Sequence, residues 1–240
     1  MSAKGSLLFA KYAFSPNQLK YCGPNDNRAI FNYCVASQSD AGLVNLLKKF
    51  EGAYPYLQLI AKSNNIKDPF DEKVVEAYWI GNSLLKRINT HDFYEQLKNR
   101  FSKKIDPKVM KWILSKPPEG AKPHHSFHVL DIYTKTGKIR GDLKSNVIST
   151  INNCLILWGQ ATNIRDNKLI VKYHPLIIRN NTLIFDQESK KEIQWLFQQP
   201  KIGDWISFHW NNMCEILDQN KLANLKAWTN YHLKIANRTI

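Results

Sequence analysis

The chain has 240 residues, of which 43% are hydrophobic and 22% charged, a globular composition that excludes an intrinsically disordered protein. Its 34 Lys and Arg outnumber its 20 Asp and Glu, and the formal net charge of +14 favours an acidic partner. No apolar run approaches the roughly 20 residues that a membrane-spanning helix needs, and the apolar stretch near the start is too short for a signal-peptide core. We therefore expect a cytoplasmic protein with no membrane partner.

Residues 1–122 predict a helical domain. Apolar side chains recur there every three or four positions, as on the buried face of a helix. Asp40, Asp71 and Asp106 each precede such a stretch and are typical N-cap residues. The sequence Pro117-Pro118-Glu119-Gly120 ends the helical pattern.

A basic stretch, residues 98–122, lies within this helical part. It contains eight Lys and Arg residues against only Asp106 and Glu119. No aromatic stacking pattern or Gly-rich RNA-binding signature runs through it. We interpret the stretch as the solvated face of helices, and the sequence disfavours nucleic acid as a partner.

The pattern changes to strands in the second part of the chain. Residues 123–152 are expected to connect the two parts, with a β-rich segment at Phe127–Tyr133 and a short helix at 146–152. Residues 153–240 predict a small β-barrel domain closed by a helix that Asp218 caps. Asn180-Asn181 predicts a type I′ hairpin turn. The expected fold class is therefore α+β.

Cysteines occur at Cys22, Cys34, Cys154 and Cys214 and form no Cys-x-x-Cys motif, so a zinc ribbon or a redox dithiol is disfavoured. Reduced thiols are expected in the cytoplasm. Cys34 lies in an apolar helical stretch and fits a small buried hydrophobic residue.

Two short motifs in the second part carry a resemblance. The first is Cys154-Leu-Ile-Leu-Trp-Gly-Gln-Ala161, and the second is Gly203-Asp-Trp-Ile-Ser-Phe-His209, followed by Leu217-Asp218 before the helix. In this order and spacing, residues 153–236 resemble the hydrogenase maturation chaperone family HypC/HupF. The sequence departs from that family in having an internal cysteine, Trp158 where proline is usual, and Asn-Asn-Met at 211–213 in place of Gly-Phe-Ala.

The resemblance implies a fold and a function. The family has an OB-like barrel with a C-terminal helix, and its cysteine ligates the iron that carries cyanide and carbon monoxide. The family passes this iron from an iron–sulfur scaffold protein to the large subunit of nickel–iron hydrogenase. Carried over, Cys154 would be the iron ligand and His209 its partner. A thiolate is a soft donor that suits low-spin iron, and a nearby imidazole can share its proton.

The whole chain also resembles an uncharacterised bacterial family whose genes often lie near nickel–iron hydrogenase genes. The similar stretches are 21–24 (Tyr-Cys-Gly-Pro), 49–56 (Lys-Phe-Glu-Gly-Ala-Tyr-Pro-Tyr), 75–82 (Val-Glu-Ala-Tyr-Trp-Ile-Gly-Asn) and 123–128 (Pro-His-His-Ser-Phe-His).

Other residues are secondary candidates for a site. His124, His125 and His128 could bind a metal, although histidines that hydrogen-bond at a seam between the two parts are the favoured interpretation. Cys22 could supply a second thiolate. Lastly, Glu51 and Glu76 lie in apolar, aromatic-rich sequence and could form an acid–base pair.

Three classes of function therefore remain open from the sequence. The first is a carrier of an iron centre for hydrogenase assembly, with the hydrogenase large subunit or the iron–sulfur scaffold as partner. The second is an enzyme with its site in the helical part, and the third is a basic OB-like protein that binds nucleic acid. No Gly-rich phosphate loop or Gly-x-Ser-x-Gly motif supports the second class.

Overall fold

The computed structural model describes residues 3–102, 104–134 and 145–238 and shows an α+β protein. Helices dominate up to residue 154, strands follow from residue 157, and a long helix ends the described chain. The α-helices are α1 (Ala3–Gln18), α2 (Asn27–Ala36), α3 (Ala41–Lys48), α4 (Tyr54–Ser63), α5 (Glu72–Trp79), α6 (Thr90–Phe101), α7 (Pro107–Ser115), α8 (His125–Phe127), α9 (Ser145–Cys154) and α10 (Gln219–Asn237). A 3₁₀ helix, Ser83–Arg87, lies between α5 and α6.

Local capping chemistry determines where several helices begin. The side chain of Asp40 accepts a hydrogen bond from the backbone N–H of Leu43 at 3.0 Å, and Asp218 accepts one from Lys221 at 2.8 Å. Asp71 and Asp106 cap α5 and α7 in the same way. These bonds satisfy backbone donors that have no partner inside the helix, and they confirm the predicted helix starts.

The segment Phe127–Tyr133 is helical, so the strand predicted there was wrong. α8 continues without a break as a π-helix, His128–Tyr133. Val129, Leu130 and Ile132 are all buried, on different sides of the helix. A helix buried on every side loses the apolar–polar periodicity that identifies it, and β-branched and aromatic residues then suggest a strand. A π-helical turn of this kind is frequently found at functional sites.

Five of the seven strands in the described part of the chain form one sheet. The strands are β1 (Leu157–Arg165), β2 (Lys168–Tyr173), β3 (Leu176–Arg179), β4 (Thr182–Phe185), β5 (Ser189–Gln194), β6 (Trp205–His209) and β7 (Asn212–Ile216). The order in the main sheet is β1-β2-β5-β7-β6, and β6 pairs again with β1. The junction between β5 and β7 is a single parallel pair, Gln194 with Asn212, whereas the other neighbours pair along several residues.

The two remaining strands, β3 and β4, form a separate hairpin. Its turn residues Asn180 and Asn181 have φ angles of 52° and 56°. Two consecutive positive φ angles are the signature of a type I′ turn, so this prediction is confirmed. The side chain of Asn237 in α10 binds both the N–H and the C=O of Leu183, each at 2.9 Å, and attaches the hairpin to the last helix.

The helical part and the sheet share a hydrophobic core. Ile156, Cys214, Leu217 and Leu225 are buried in the same cluster as the side chains of α1 to α5. A second hydrophobic cluster is formed largely by buried side chains of the main sheet. Its members include Leu169, Val171, Ile193, Ile206 and Phe208. The domain boundaries expected at 122 and 152 remain predictions; the packing joins the segments on either side. No helix among the described residues is long and apolar enough to cross a membrane.

Candidate functional site

A small cavity of about 70 Å³ lies where the helical part meets the sheet. We call this cavity the inner chamber; its volume is enough for several water molecules. Its walls are largely aromatic, with Tyr78, Trp79 and Tyr133 among them. The side chains in its lining that can bind a metal are Cys22, Cys154, His125, His128 and His209.

Strand register explains why Cys154 and His209 meet. β1 and β6 are antiparallel, with Leu157 opposite Phe208, so the chain before β1 runs beside the chain after β6. The backbone N–H of Trp210 donates to the carbonyl of Asn153 at 2.9 Å and continues this pairing. Cys154 is the last residue of α9, just before β1 begins at Leu157.

His209 is held by the first helix. Its Nδ1 donates to the backbone carbonyl of Tyr12 at 2.7 Å, and the ring is 2% exposed. Burial lowers the pKa of His209 to about 4, although the carbonyls of Tyr12 and Cys154 favour the charged form. The ring is therefore neutral near pH 7, and with its proton on Nδ1 it keeps a lone pair on Nε2.

His125 supports Cys154 through the backbone. Its Nε2 donates to the Cys154 carbonyl at 2.8 Å, so its Nδ1 is the acceptor for the Tyr78 hydroxyl at 3.2 Å. Its ring lies edge-to-face with that of His209, with centroids 5.3 Å apart. Burial, and then His209, lower its pKa well below the ordinary value. Both ring nitrogens of His125 thus form hydrogen bonds. This arrangement suits a residue that holds the backbone of Cys154 in position.

Both thiols of the chamber are protonated near neutral pH. Cys154 is 9% exposed, and burial, followed by the proximity of Cys22, raises its pKa to about 12. Cys22 is exposed as a residue, but desolvation of its thiol likewise raises the pKa to about 12. A bound cation would have to supply the free energy to ionise either thiol. Within the described residues, no three or more His, Cys, Asp or Glu side chains form a group arranged to hold a metal ion.

A buried hydrogen-bond network fixes Tyr12, and through it His209. The Tyr12 hydroxyl donates to Glu215 Oε1 at 2.7 Å and lies 2.8 Å from Ser207 Oγ. Lys221 Nζ donates to Glu215 Oε2 at 2.7 Å. Burial, and then the carboxylate of Glu215, raise the pKa of Tyr12 well above its ordinary value. The network ties α1 to β6, β7 and α10 directly beside the inner chamber.

Replacing Tyr12 with phenylalanine should lower the free energy of unfolding by about 1–3 kcal/mol, because Glu215 and Ser207 would lose a buried partner. Urea denaturation of the purified protein measures the change. Tyr231→Phe is the matched control, since its hydroxyl binds the Gly120 carbonyl at an exposed position. Equal losses in the two variants would contradict a structural role for the network.

A second, larger cavity of about 480 Å³ adjoins the inner chamber. This outer basin shares Tyr21, Cys22, Gly52, His128 and Tyr133 with the chamber. Its charged lining residues are Lys20, Lys49, Glu51, Arg100 and Lys104. The wall that separates the two spaces therefore carries one thiol and one imidazole.

The structure places the secondary candidate residues in different surroundings. His128 lines both cavities, and its Nδ1 lies 3.3 Å from the Tyr56 hydroxyl. His124 lines neither of these two cavities and contacts Ser126 at 2.7 Å. Glu51 borders the outer basin, whereas Glu76 accepts a hydrogen bond from Asn82 at 3.0 Å and lines neither cavity. The lining of the two cavities thus does not bring Glu51 and Glu76 together as an acid–base pair.

The basic stretch 98–122 is only partly a solvated face. Lys116 is 0% exposed, with its Nζ 4.6 Å from the ring of Trp112 and 3.5 Å from Glu119. Arg100 and Lys104 line the outer basin. Lys103 lies outside the described residues. The interpretation of this stretch as the solvated face of helices was therefore wrong at Lys116.

Sequence reasoning missed the aromatic wall of the chamber. Tyr78 and Trp79 end α5 and were noted only within the similar stretch 75–82. Tyr133 lies in the segment that was predicted to be a strand. No spacing rule distinguishes a cavity-lining aromatic from a core aromatic, so only the packing reveals them.

A comparison with protein-family models shows the family of the chain. The whole chain, residues 1–240, matches DUF6390, a family of unknown function, and the chain belongs to that family. No curated protein and no solved structure matches the chain.

Proposed function

We propose that this protein carries or transfers an iron centre, with cyanide and carbonyl ligands, during the assembly of nickel–iron hydrogenase in the cytoplasm. The observation that carries the proposal is the convergence of Cys154 and His209, the two residues of the HypC-like motifs, on one chamber. The five-stranded sheet followed by a helix is compatible with the OB-like barrel of that family. The hydrogenase large subunit and the iron–sulfur scaffold are the proposed partners.

The side chains that could act as metal ligands suit an iron centre that is carried and released better than a permanently bound metal ion. The described residues contain no group of three or more donors arranged for a metal, and a permanently bound ion normally has at least that many protein ligands. An iron that brings its own diatomic ligands needs only one or two protein donors. The thiol of Cys154, ionised on binding, and Nε2 of His209 would provide them.

The inner chamber also protects such a cargo. Its lining is mostly apolar and aromatic and so limits contact with water, and neutral imidazoles add no positive charge that would oppose metal binding. Cys22 lies on the wall shared with the outer basin and could accept or release the cargo as a second thiolate. A transfer step requires that one thiolate replace another as the ligand of the iron.

The decisive experiment is to produce the protein anaerobically with the hydrogenase maturation machinery, and then to measure its iron content and infrared spectrum. We expect the wild type to show cyanide and carbonyl stretching bands and Cys154→Ala to show neither. His209→Ala should weaken the bands without abolishing them, because the thiolate anchors the iron. Cys154→Ala should cost only about 1 kcal/mol of stability and remain folded.

Cys34→Ala is the matched control. Cys34 is buried like Cys154 but lies in α2 and lines neither cavity, so its replacement should leave iron and bands unchanged. Retention of the bands in Cys154→Ala would overturn the proposal. A wild-type protein that binds no iron under these conditions would also overturn the proposal. That result would favour the alternative function, an enzyme with its site in the helical part.

A further inference from the structure

The outer basin is a strongly basic concavity. Lys20, Lys49, Arg100 and Lys104 line it against the single carboxylate of Glu51. The balance is three positive charges in a space of about 480 Å³, a volume within the usual range for small-molecule sites. These residues come from the α1–α2 connection, the end of α3, and α6 with the turn after it. The fold thus gathers cations that are far apart in the sequence.

Arg100 is fixed in place within this basin. Its Nη2 donates to the backbone carbonyl of Glu51. Its guanidinium lies over the rings of Tyr56 and Phe101, at 4.8 and 4.7 Å from their centroids. These contacts hold the guanidinium in one orientation. A guanidinium that is already oriented loses little entropy on binding, and its positive charge contributes to the basin that Arg100 lines.

We propose that the outer basin binds the phosphate or pyrophosphate group of a small anionic ligand. A carboxylate with one charge would leave most of the positive charge of the basin uncompensated, whereas a phosphate or pyrophosphate group carries two or more. The guanidinium provides a positive charge that is already held in place, and the lysines act as point charges around it. This proposal does not depend on iron binding by the inner chamber.

The bound anion would lie beside the inner chamber. The two cavities share the wall formed by Tyr21, Cys22, Gly52, His128 and Tyr133. A ligand held by Arg100 and Lys49 would cover this wall from outside and limit access to Cys22. Anion binding should therefore slow alkylation of the Cys22 thiol.

Isothermal titration calorimetry of the full chain with pyrophosphate, in 0.15 M NaCl, tests the proposal. We expect saturable 1:1 binding that Arg100→Gln weakens about tenfold, as for the loss of a charge-assisted contact. Lys49→Gln should weaken binding about threefold, since an exposed charge contributes less. Lys49 approaches Asp26 only at 3.9 Å in an exposed contact, so this variant should fold normally.

Lys48→Gln is the matched control, because Lys48 is the exposed neighbour of Lys49 in the sequence and does not line the basin. Its binding of pyrophosphate should equal that of the wild type. Equal weakening by Lys48→Gln and Lys49→Gln would show non-specific attraction to a chain of charge +14 and would overturn the proposal. Absence of saturable binding to the wild type would overturn it as well. Neither result would affect the infrared test of iron binding.

Discussion

Replacing Gly5 with alanine should destabilise the protein by about 1–2 kcal/mol, although alanine is the better helix former. At Gly5, α1 approaches the start of α5 so closely that an added Cβ would lie 2.0 Å from the Phe70 carbonyl oxygen and 2.7 Å from the Glu72 nitrogen. Both are backbone atoms, which cannot rotate away. Helix propensity favours alanine by roughly 1 kcal/mol. Overpacking of a close contact costs about 1–3 kcal/mol or more, so sterics should prevail.

The shift of the urea denaturation midpoint measures this effect, and Gly52→Ala is its control. A Cβ at Gly52 would meet its nearest neighbour, His128 Nε2, at an ordinary distance of 3.5 Å. That variant should change stability by less than about 1 kcal/mol. A Gly5→Ala protein as stable as the wild type would show that α1 can move away from α5. Such a movement would also displace Tyr12, whose carbonyl holds His209 in the chamber.

Local features of the fold were predictable because their chemistry involves neighbouring residues. The aspartate caps and the Asn180-Asn181 turn each depend on two to four adjacent positions. Phe127–Tyr133 was not predictable in this way. Burial on all sides removes the helical periodicity of this segment, and its composition then favours a strand.

The same distinction between local sequence features and long-range packing applies to the candidate site. Cys154 and His209 were singled out from two motifs, and the β1–β6 register brings their backbones together. The outer basin was not predicted, because Lys20, Lys49 and Arg100 are brought together only by the packing of separate helices. The sequence shows the excess of positive charge, but not the concave surface on which part of it collects.

A buried histidine pair next to the site should make the protein unfold readily in mild acid. His232 Nδ1 donates to Ser126 Oγ at 2.8 Å, and the serine hydroxyl donates to His124 Nδ1 at 2.7 Å. The backbone N–H of Lys122 donates to His232 Nε2 at 3.2 Å. Each ring thus uses its unprotonated nitrogen as an acceptor, and a second proton would break one of these bonds. The rings also stack, with centroids 5.5 Å apart, so two positive charges would repel each other.

Burial lowers the pKa of His124 to about 3, and burial together with His124 lowers the pKa of His232 well below 6.5. In the unfolded chain both rings gain protons as the pH falls through about 6.5, while the folded rings remain neutral. The unfolded state then binds more protons, and stability falls with decreasing pH. Each histidine should remove about 1.4 kcal/mol per pH unit between pH 6 and 4. The loss ends where the folded ring is itself protonated, which for His124 is about pH 3.

Urea denaturation at pH 7.5, 6, 5 and 4 measures this slope. His124→Asn should reduce it by about 1.4 kcal/mol per pH unit, since asparagine cannot titrate and can still accept the N-cap bond from the Ser126 N–H. Any constant loss of stability in this variant does not affect the slope. His91→Asn, at an exposed position in α6, should leave the slope unchanged. An unaltered slope in His124→Asn would mean that carboxylates, and not the buried imidazoles, control acid unfolding. The expected reduction would show that α10 packs stably against the segment at 124–128 only while the buried histidines are neutral.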